Sequence, residues 1–339
     1  MTLHCLHHPN AYATHSDWVE RQTLHVAVSY TNPCRWKTRL KLANDFRRHM
    51  ASCPNVKLYF GEVAFGDRPF EVTCKDYPGD FQFRTRHELW LKENILNNVI
   101  ERFDPDWQYG AYIDADVFFN RHDFAIETIH QLQHYDWVQM FTSYSDLGPN
   151  YEVLRTTDSF AKRFVAGDFT DEFLQECSSG TPYSGGGPRK SVSATGLAWA
   201  FRREAFEACG GLLDTCILGS GDWHCAFGLV GVPDKHPQNA EILSCMPEYA
   251  RSIRIWQNRA SRAIKRNVGV VNCHVTHNYH GQKSQRGYGS RWKILRDNHF
   301  NPYVDIYRDY QGLYQLTPDK PALRDGIRAY FRSRNEDGA

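Results

Sequence analysis

The sequence lacks any stretch approaching 18 consecutive apolar residues, so no transmembrane helix is expected. Its first residues lack the apolar core of a secretory leader and carry four histidines instead (His4, His7, His8 and His15). Cys-x-x-Cys pairs are also missing. Ten cysteines stand singly in a chain too long to need disulfide staples, so reduced thiols in a cytoplasm are expected. Internal repeats and linker-like stretches are absent, which favours one domain with a C-terminal extension. The chain has 339 residues, 41% hydrophobic and 23% charged, enough for a sizeable core and too apolar for disorder.

Net charge is nearly absent too, at +1, but it is unevenly spread. Residues 251–300 hold eleven Lys and Arg against the single acid Asp297, an excess of ten positive charges. Such a block points to a phosphate-bearing partner, either a nucleotide or a nucleic-acid backbone. A solvated helix face would have the same composition.

Periodicity predicts alternating strands and helices. Leu24–Ser29 is an apolar strand, and Asn32-Pro33 reads as an N-cap with Pro at the first helical position. A helix should then run to Cys53-Pro54, ahead of a second strand at Val56–Phe60. This β-α-β opening suggests a parallel, doubly wound sheet. Thr85-x-x-Glu88 reads as a capping box before a long helix that would carry Arg84, Arg86, Lys92 and Asn94. A strand at Trp107–Ile113 leads into Asp114-Ala115-Asp116. Further strands are expected at Trp137–Phe141, Val192–Phe201 and Val268–His274, and helices at about 123–134, 202–209 and 246–266. The glycine-rich run 178–190 predicts a mobile loop.

Three constellations carry chemistry. Asp114 and Asp116 end an apolar strand, where alternation would point both carboxylates the same way. Two such carboxylates repel unless a cation lies between them, and Mg²⁺ or Mn²⁺ suits oxygen ligands. Next, Gly219-Ser220-Gly221-Asp222 opens a helix. Ser220 would cap it and Asp222 would sit in the first turn, ionised and suited to act as a general base. Finally, a strand delivers His274, His277 and His280, followed by Lys283. One of these histidines can complete the metal shell, and imidazole favours Mn²⁺ over Mg²⁺.

Together these residues resemble the GT-A-fold glycosyltransferases, which move sugar from a nucleotide donor using a divalent metal held by D-x-D. The likeness spans residues 24–285 in the family's order. It includes His25–Asn32, Asp114-x-Asp116, the segment 196–203, Gly210-Gly211, the Gly-Ser-Gly-Asp-Trp run at 219–223 and a late histidine. It implies an α/β GT-A fold, with a Rossmann-like, mostly parallel central sheet flanked by helices. An arm over 1–23 would precede it, and a basic extension over 286–339 would pack on it. The implied cofactors are Mn²⁺ or Mg²⁺ and a nucleotide sugar, foremost a UDP-sugar. Asp114 and Asp116, with His277 or His280, would hold the metal. Tyr30, Thr31, Asn32, Arg86, Lys92, Asp114, Lys283 and Arg286 would hold the donor, and Asp222 would deprotonate the acceptor in an inverting reaction. Many relatives have an acidic pair where this chain has Gly221-Asp222, so no second acid is expected beside the base.

His277-x-x-His280-Gly281 with Arg286-x-Tyr288-x-x-Arg291 looks like phage-encoded transferases, some resembling the base J and TET-associated glycosyltransferases. That implies a hydroxymethylated pyrimidine in DNA as acceptor, contacted by Trp199, Trp223, Arg254, Arg262, Tyr288 and Arg291. A saccharide, lipid-linked or protein acceptor is the alternative within the class. Outside it stand a metal-dependent phosphoesterase, disfavoured by the scarcity of acids after residue 223, and a non-catalytic DNA- or glycan-binding protein.

Overall fold

The computed structural model describes residues 22–170, 193–231, 245–287 and 290–338. The expected arm (all but its last two residues), the glycine-rich loop 178–190 and Tyr288 lie outside the described residues.

The chain alternates as periodicity predicts. β1 (Leu24–Thr31), α1 (Lys37–Ala51), β2 (Val56–Phe65) and β3 (Asp80–Thr85) are followed by α2 (Lys92–Ile100) and β4 (Tyr109–Ile113). Then come β5 (Val117–Phe119), α3 (Phe124–Leu132), β6 (Trp137–Gln139), β7 (Ser143–Leu147), β8 (Val153–Asp158) and α4 (Phe160–Val165). Beyond the undescribed stretch lie β9 (Ala198–Arg202), α5 (Arg203–Cys209), α6 (Gly221–Leu229), α7 (Pro247–Ile264), β10 (Val268–Val270) and β11 (His274–His277). The end of the chain contributes α8 (Trp292–Asp297), β12 (Ile306–Arg308), β13 (Tyr314–Leu316) and α9 (Pro321–Ser333).

A seven-stranded sheet in the order β10-β6-β9-β4-β1-β2-β3 forms the centre, with β9 antiparallel to its neighbours and the other pairings parallel. Strand alternation feeds two cores, Val26 and Val28 of β1 entering one and Ala27 the other. Residues after 286 are built into the second of these, through Trp292, Leu295, Leu313, Leu323, Ile327 and Phe331. The chain runs from β1 outward to β3 and returns to place β4 on the other side of β1. Such a switch point opens a crevice at the carboxyl ends of the two strands, where ligands bind in open α/β sheets. A second sheet, β5-β11-β7-β8, stands beside that crevice. No described helix is long and apolar enough to cross a membrane.

Three local expectations are corrected. Asn32 does not cap α1, which starts at Lys37. Instead Asn32 Oδ1 accepts from the Trp36 amide at 2.9 Å, and the α1 amides of Lys37 and Thr38 donate to Asp337 from the far end of the chain. Thr85 opens no capping box. It ends β3, so Arg84 lies on a strand and Arg86 is exposed just beyond it, while α2 begins only at Lys92. The Thr85 hydroxyl donates to Gln315 and Glu88 pairs with Arg332, long-range partners that no local spacing reveals. Ser220 lies at φ +74° and makes no side-chain cap; its Oγ accepts from Arg291.

Candidate metal centre

β11 sits between β5 and β7, antiparallel to the first and parallel to the second. Register sets Val117, His277, Asp146 and Arg155 in one row across the four strands. Asp116 immediately precedes β5, and its carbonyl accepts from the Asn278 amide at 2.8 Å, tying the Asp turn to the exit of β11. Three ligand atoms converge there. Asp116 Oδ2 lies 3.1 Å from His280 Nε2 and 3.9 Å from His277 Nε2, and the two Nε2 atoms are 3.4 Å apart. Ligands about 2.1 Å from one ion stand about 3.0 Å apart at octahedral angles and about 3.4 Å at tetrahedral ones. The triad therefore spans the separations of one metal shell. Asp116 Oδ1 is buried and has no hydrogen-bond partner among the described residues, an orphan that a cation would satisfy.

Each histidine is backed by a carboxylate. His277 Nδ1 lies 2.8 Å from Asp146 Oδ1, and His280 Nδ1 lies 3.3 Å from Glu336 Oε2. An ionised carboxylate only accepts, so both Nδ1 atoms carry the hydrogen and both Nε2 lone pairs face Asp116. Burial lowers the His277 pKa and keeps the imidazole neutral. Burial works to protonate Asp116, and the positive charge around it, the buried Arg286 guanidinium included, holds the carboxyl far below the usual range. Arg286 is buried and donates to His280 Nε2 at 3.0 Å, so a guanidinium faces the same lone pair. Two imidazoles and one carboxylate suit Mn²⁺ or another transition ion better than Mg²⁺, which prefers oxygen.

Asp114 is not in this triad. The backbone turns at Asp114–Val117, where the Val117 amide donates to the Asp114 carbonyl, so strand alternation no longer applies. The Asp114 carboxylate instead pairs with Lys92 at 2.5 Å. Lys92 is thereby tied to a carboxylate and not left open for phosphate. Burial disfavours its charge, but Asp114, Glu93 and Asp222 outweigh that and raise its pKa. Burial raises the Asp114 pKa, Lys92 opposes the shift, and the charges of Asp116 and Asp222 add to it.

No family model matches the chain, and no curated protein does. The site therefore has to be read from its own geometry.

Asp222 stands in the first turn of α6, half-buried, with Thr195 donating to its Oδ2 at 3.2 Å. A Cβ on Gly196 would come within 2.6 Å of Asp222 Oδ2, so that glycine makes room for the carboxylate. A second acid approaches the start of α6 from elsewhere in the chain. Glu93 on α2 is buried against Gly221, where an added Cβ would meet its carboxyl at 2.7 Å. Burial pushes the Glu93 pKa up to about 7; Lys92 opposes the shift and Asp222 adds to it. The glycine that broke the acidic motif is what admits this side chain.

A small open cleft lies at the ends of β1 and β2, lined by Tyr30, Asn32, Arg35, Phe65, Arg68 and Glu71 among others. Glu62 at its base accepts from the Glu71, Val72 and Thr73 amides and shapes its wall. Tyr30 and Asn32 line this cleft and bond each other, the Asn32 amide donating to the Tyr30 hydroxyl at 3.1 Å. The Thr31 carbonyl accepts from Arg39, which also bonds Glu336, linking the cleft to the metal triad.

Other expected residues fall elsewhere. Trp199 is core: it is 2% exposed on β9, and its Nε1 donates to the Thr195 carbonyl, so its ring offers no stacking surface. Arg291 is buried and donates to Ser220 and Tyr330, which removes it from an acceptor surface. Lys283 pairs with Asp146 at 2.5 Å, and burial lowers its pKa. Trp223 is half-buried beside Asp222 and packs on Phe227. Arg254 and Arg262 are exposed on α7. His274 is satisfied by Ser143 and Ser145, at 2.9 and 3.1 Å. Asp146, Glu336 and Glu93 were missed: each lies far in sequence from its partner, and no local motif marks it.

Proposed function

We propose that this chain is a metal-dependent, inverting glycosyltransferase of the GT-A type, moving a hexose from a nucleotide sugar, a UDP-sugar foremost, to a hydroxyl. The observation that carries the reading is the Asp116–His277–His280 triad just beyond the carboxyl end of β4, where three ligand atoms of a single ion converge. Asp116, His277 and His280 would hold the ion, which when bound neutralises charge on the diphosphate leaving group. The Tyr30–Asn32 cleft would take the nucleoside end of the donor. Asp222 takes the proton from the acceptor hydroxyl as its oxygen bonds the anomeric carbon and the bond to the diphosphate breaks. Thr195 holds that carboxylate in place, and Arg286 supplies counter-charge as the leaving group departs. A two-metal phosphoesterase is disfavoured, because the described residues offer a single three-ligand cluster.

For the acceptor we propose DNA carrying a hydroxymethylated pyrimidine. Its support is the exposed face of α7, where Arg251, Arg254 and Arg262 are in solvent, with Lys265 exposed just past its end. Calorimetric titration of UDP with and without Mn²⁺ tests the class. Binding that needs both Mn²⁺ and Asp116 is expected, and metal-independent binding would refute it. Mass measurement of hydroxymethylated DNA and of oligosaccharides after incubation with a panel of nucleotide sugars tests the acceptor. Transfer to the sugar acceptor alone would remove DNA and leave the class standing.

A further inference from the structure

The last residues of the chain, far from the triad in sequence, turn back into it. Glu336 is wholly buried, and its carboxylate collects three groups. Arg39 donates to both of its oxygens, Arg334 Nε donates to Oε1 at 2.5 Å, and His280 Nδ1 lies 3.3 Å from Oε2. Burying a carboxylate is costly unless it is paired, and here two guanidiniums do that, holding its pKa well below the usual range against the burial. The arrangement repeats the one behind the other histidine. Asp146 faces His277 Nδ1 and is pinned by Lys283 at 2.5 Å and Arg155 at 2.6 Å. Each candidate histidine ligand is therefore backed by one buried anion, and each anion is locked by two cations.

The segment is fixed on both flanks. Asp337 accepts from the Lys37 and Thr38 amides at 3.0 and 2.8 Å, capping α1, and the Gly338 carbonyl accepts from Tyr279 at 2.9 Å. Gly281, at φ +81°, lets the backbone pass. A Cβ there would stand 2.8 Å from both the Asn335 carbonyl and the Glu336 Cα. A tail that merely covered the surface would need neither a buried anion nor a glycine opposite it.

We propose that the C-terminal segment Arg334–Gly338 is a working part of the metal centre, with Glu336 as the positioning residue that fixes His280 as an Nε2 ligand. The inference rests on the reading that Asp116, His277 and His280 hold a divalent ion. The fixed ring leaves no other nitrogen of His280 for the metal, and the tail also holds Arg39, whose guanidinium reaches the end of β1. The donor cleft and the metal ligand thus share one fastening.

The test uses the full chain, with Mn²⁺ affinity read by calorimetry and Co²⁺ ligation by visible absorption. Glu336→Gln keeps the shape and loses the charge. Glu336→Asp keeps the charge between the two arginines but withdraws it from His280, and guards against a Gln variant that does not fold. Folding of both is checked by melting in EDTA. Loss of such an outer carboxylate weakens metal affinity about 10- to 100-fold, and a shifted Co²⁺ band is expected with it. Asp325→Asn, at an exposed acid of α9 outside the segment, should stay within twofold of the wild type. If Mn²⁺ binding is lost in His280→Ala but both Glu336 variants bind within twofold with an unchanged Co²⁺ spectrum, the inference falls and the metal reading stands. If the wild-type chain binds neither ion, both fall.

Discussion

Glu93 gives the sharpest physical prediction, because its cost can be worked from its surroundings. The carboxyl is 6% exposed, pressed against Gly221 and near Asp222 and Asp114, with Lys92 as the one nearby cation that favours its charge. Its pKa stands at about 7 against an ordinary 4.5. A raised carboxyl pKa means the folded protein prefers the protonated form, so nothing is lost below pH 4.5. Stability then falls as pH rises through the window to 7, and the loss levels off above it. About 2.5 units at 1.36 kcal/mol each is a loss of about 3 kcal/mol. Glu93→Gln keeps the shape and removes the titration. Guanidinium unfolding of both chains at pH 4.5 and at pH 8.5 should show the variant gaining about 3 kcal/mol on the wild type between the two. A difference between the chains that does not change with pH would refute the placement of Glu93 as a buried acid facing Asp222.

Asp222→Asn should leave Mn²⁺-dependent donor binding intact and lower turnover by about two to four orders of magnitude, read by single-turnover mass measurement. Turnover within a few-fold of wild type would move the base elsewhere or make the reaction retaining. Asp116→Asn should abolish Mn²⁺ binding in calorimetry. Asp114→Asn should leave that affinity within about tenfold but destabilise the chain by about 2 kcal/mol, by stripping Lys92 of its partner. Reversing Arg254 and Arg262 to Glu should weaken DNA binding and flatten its salt dependence by about 0.9 log unit per lost phosphate contact, while sparing UDP affinity. An unchanged salt slope would argue against that face of α7.

Legibility varied with the range of the interaction. β1 and β2 were readable because apolar runs of strand length need no partner to declare themselves, and α7 because its Ile253, Trp256 and Ala260 recur on one face. The helix expected over 202–209 does end there, at Gly210, which takes the left-handed conformation, φ +73°, that glycine allows. Helix starts failed where a distant residue supplies the cap. Asp337 does this for α1, so Asn32 was credited with a role it does not have. Trp199, expected as an acceptor contact, is core instead, because the sequence does not say which face of the sheet is covered.

Sequence alone determined the α/β alternation, the Asp pair after β4, the acid at the start of α6 and the histidines at the end of β11. These follow from period, strand length and glycine placement, all local properties. Tertiary structure alone decided which of these groups meet. It turned the chain at Asp114, sending that carboxylate to Lys92 and Asp116 to the histidines. It brought Asp146 and Glu336 behind the imidazoles and slid Glu93 under Gly221. The reason is physical: buried charges must be paired, and a partner is chosen by proximity in the folded chain, which spacing along the sequence does not encode.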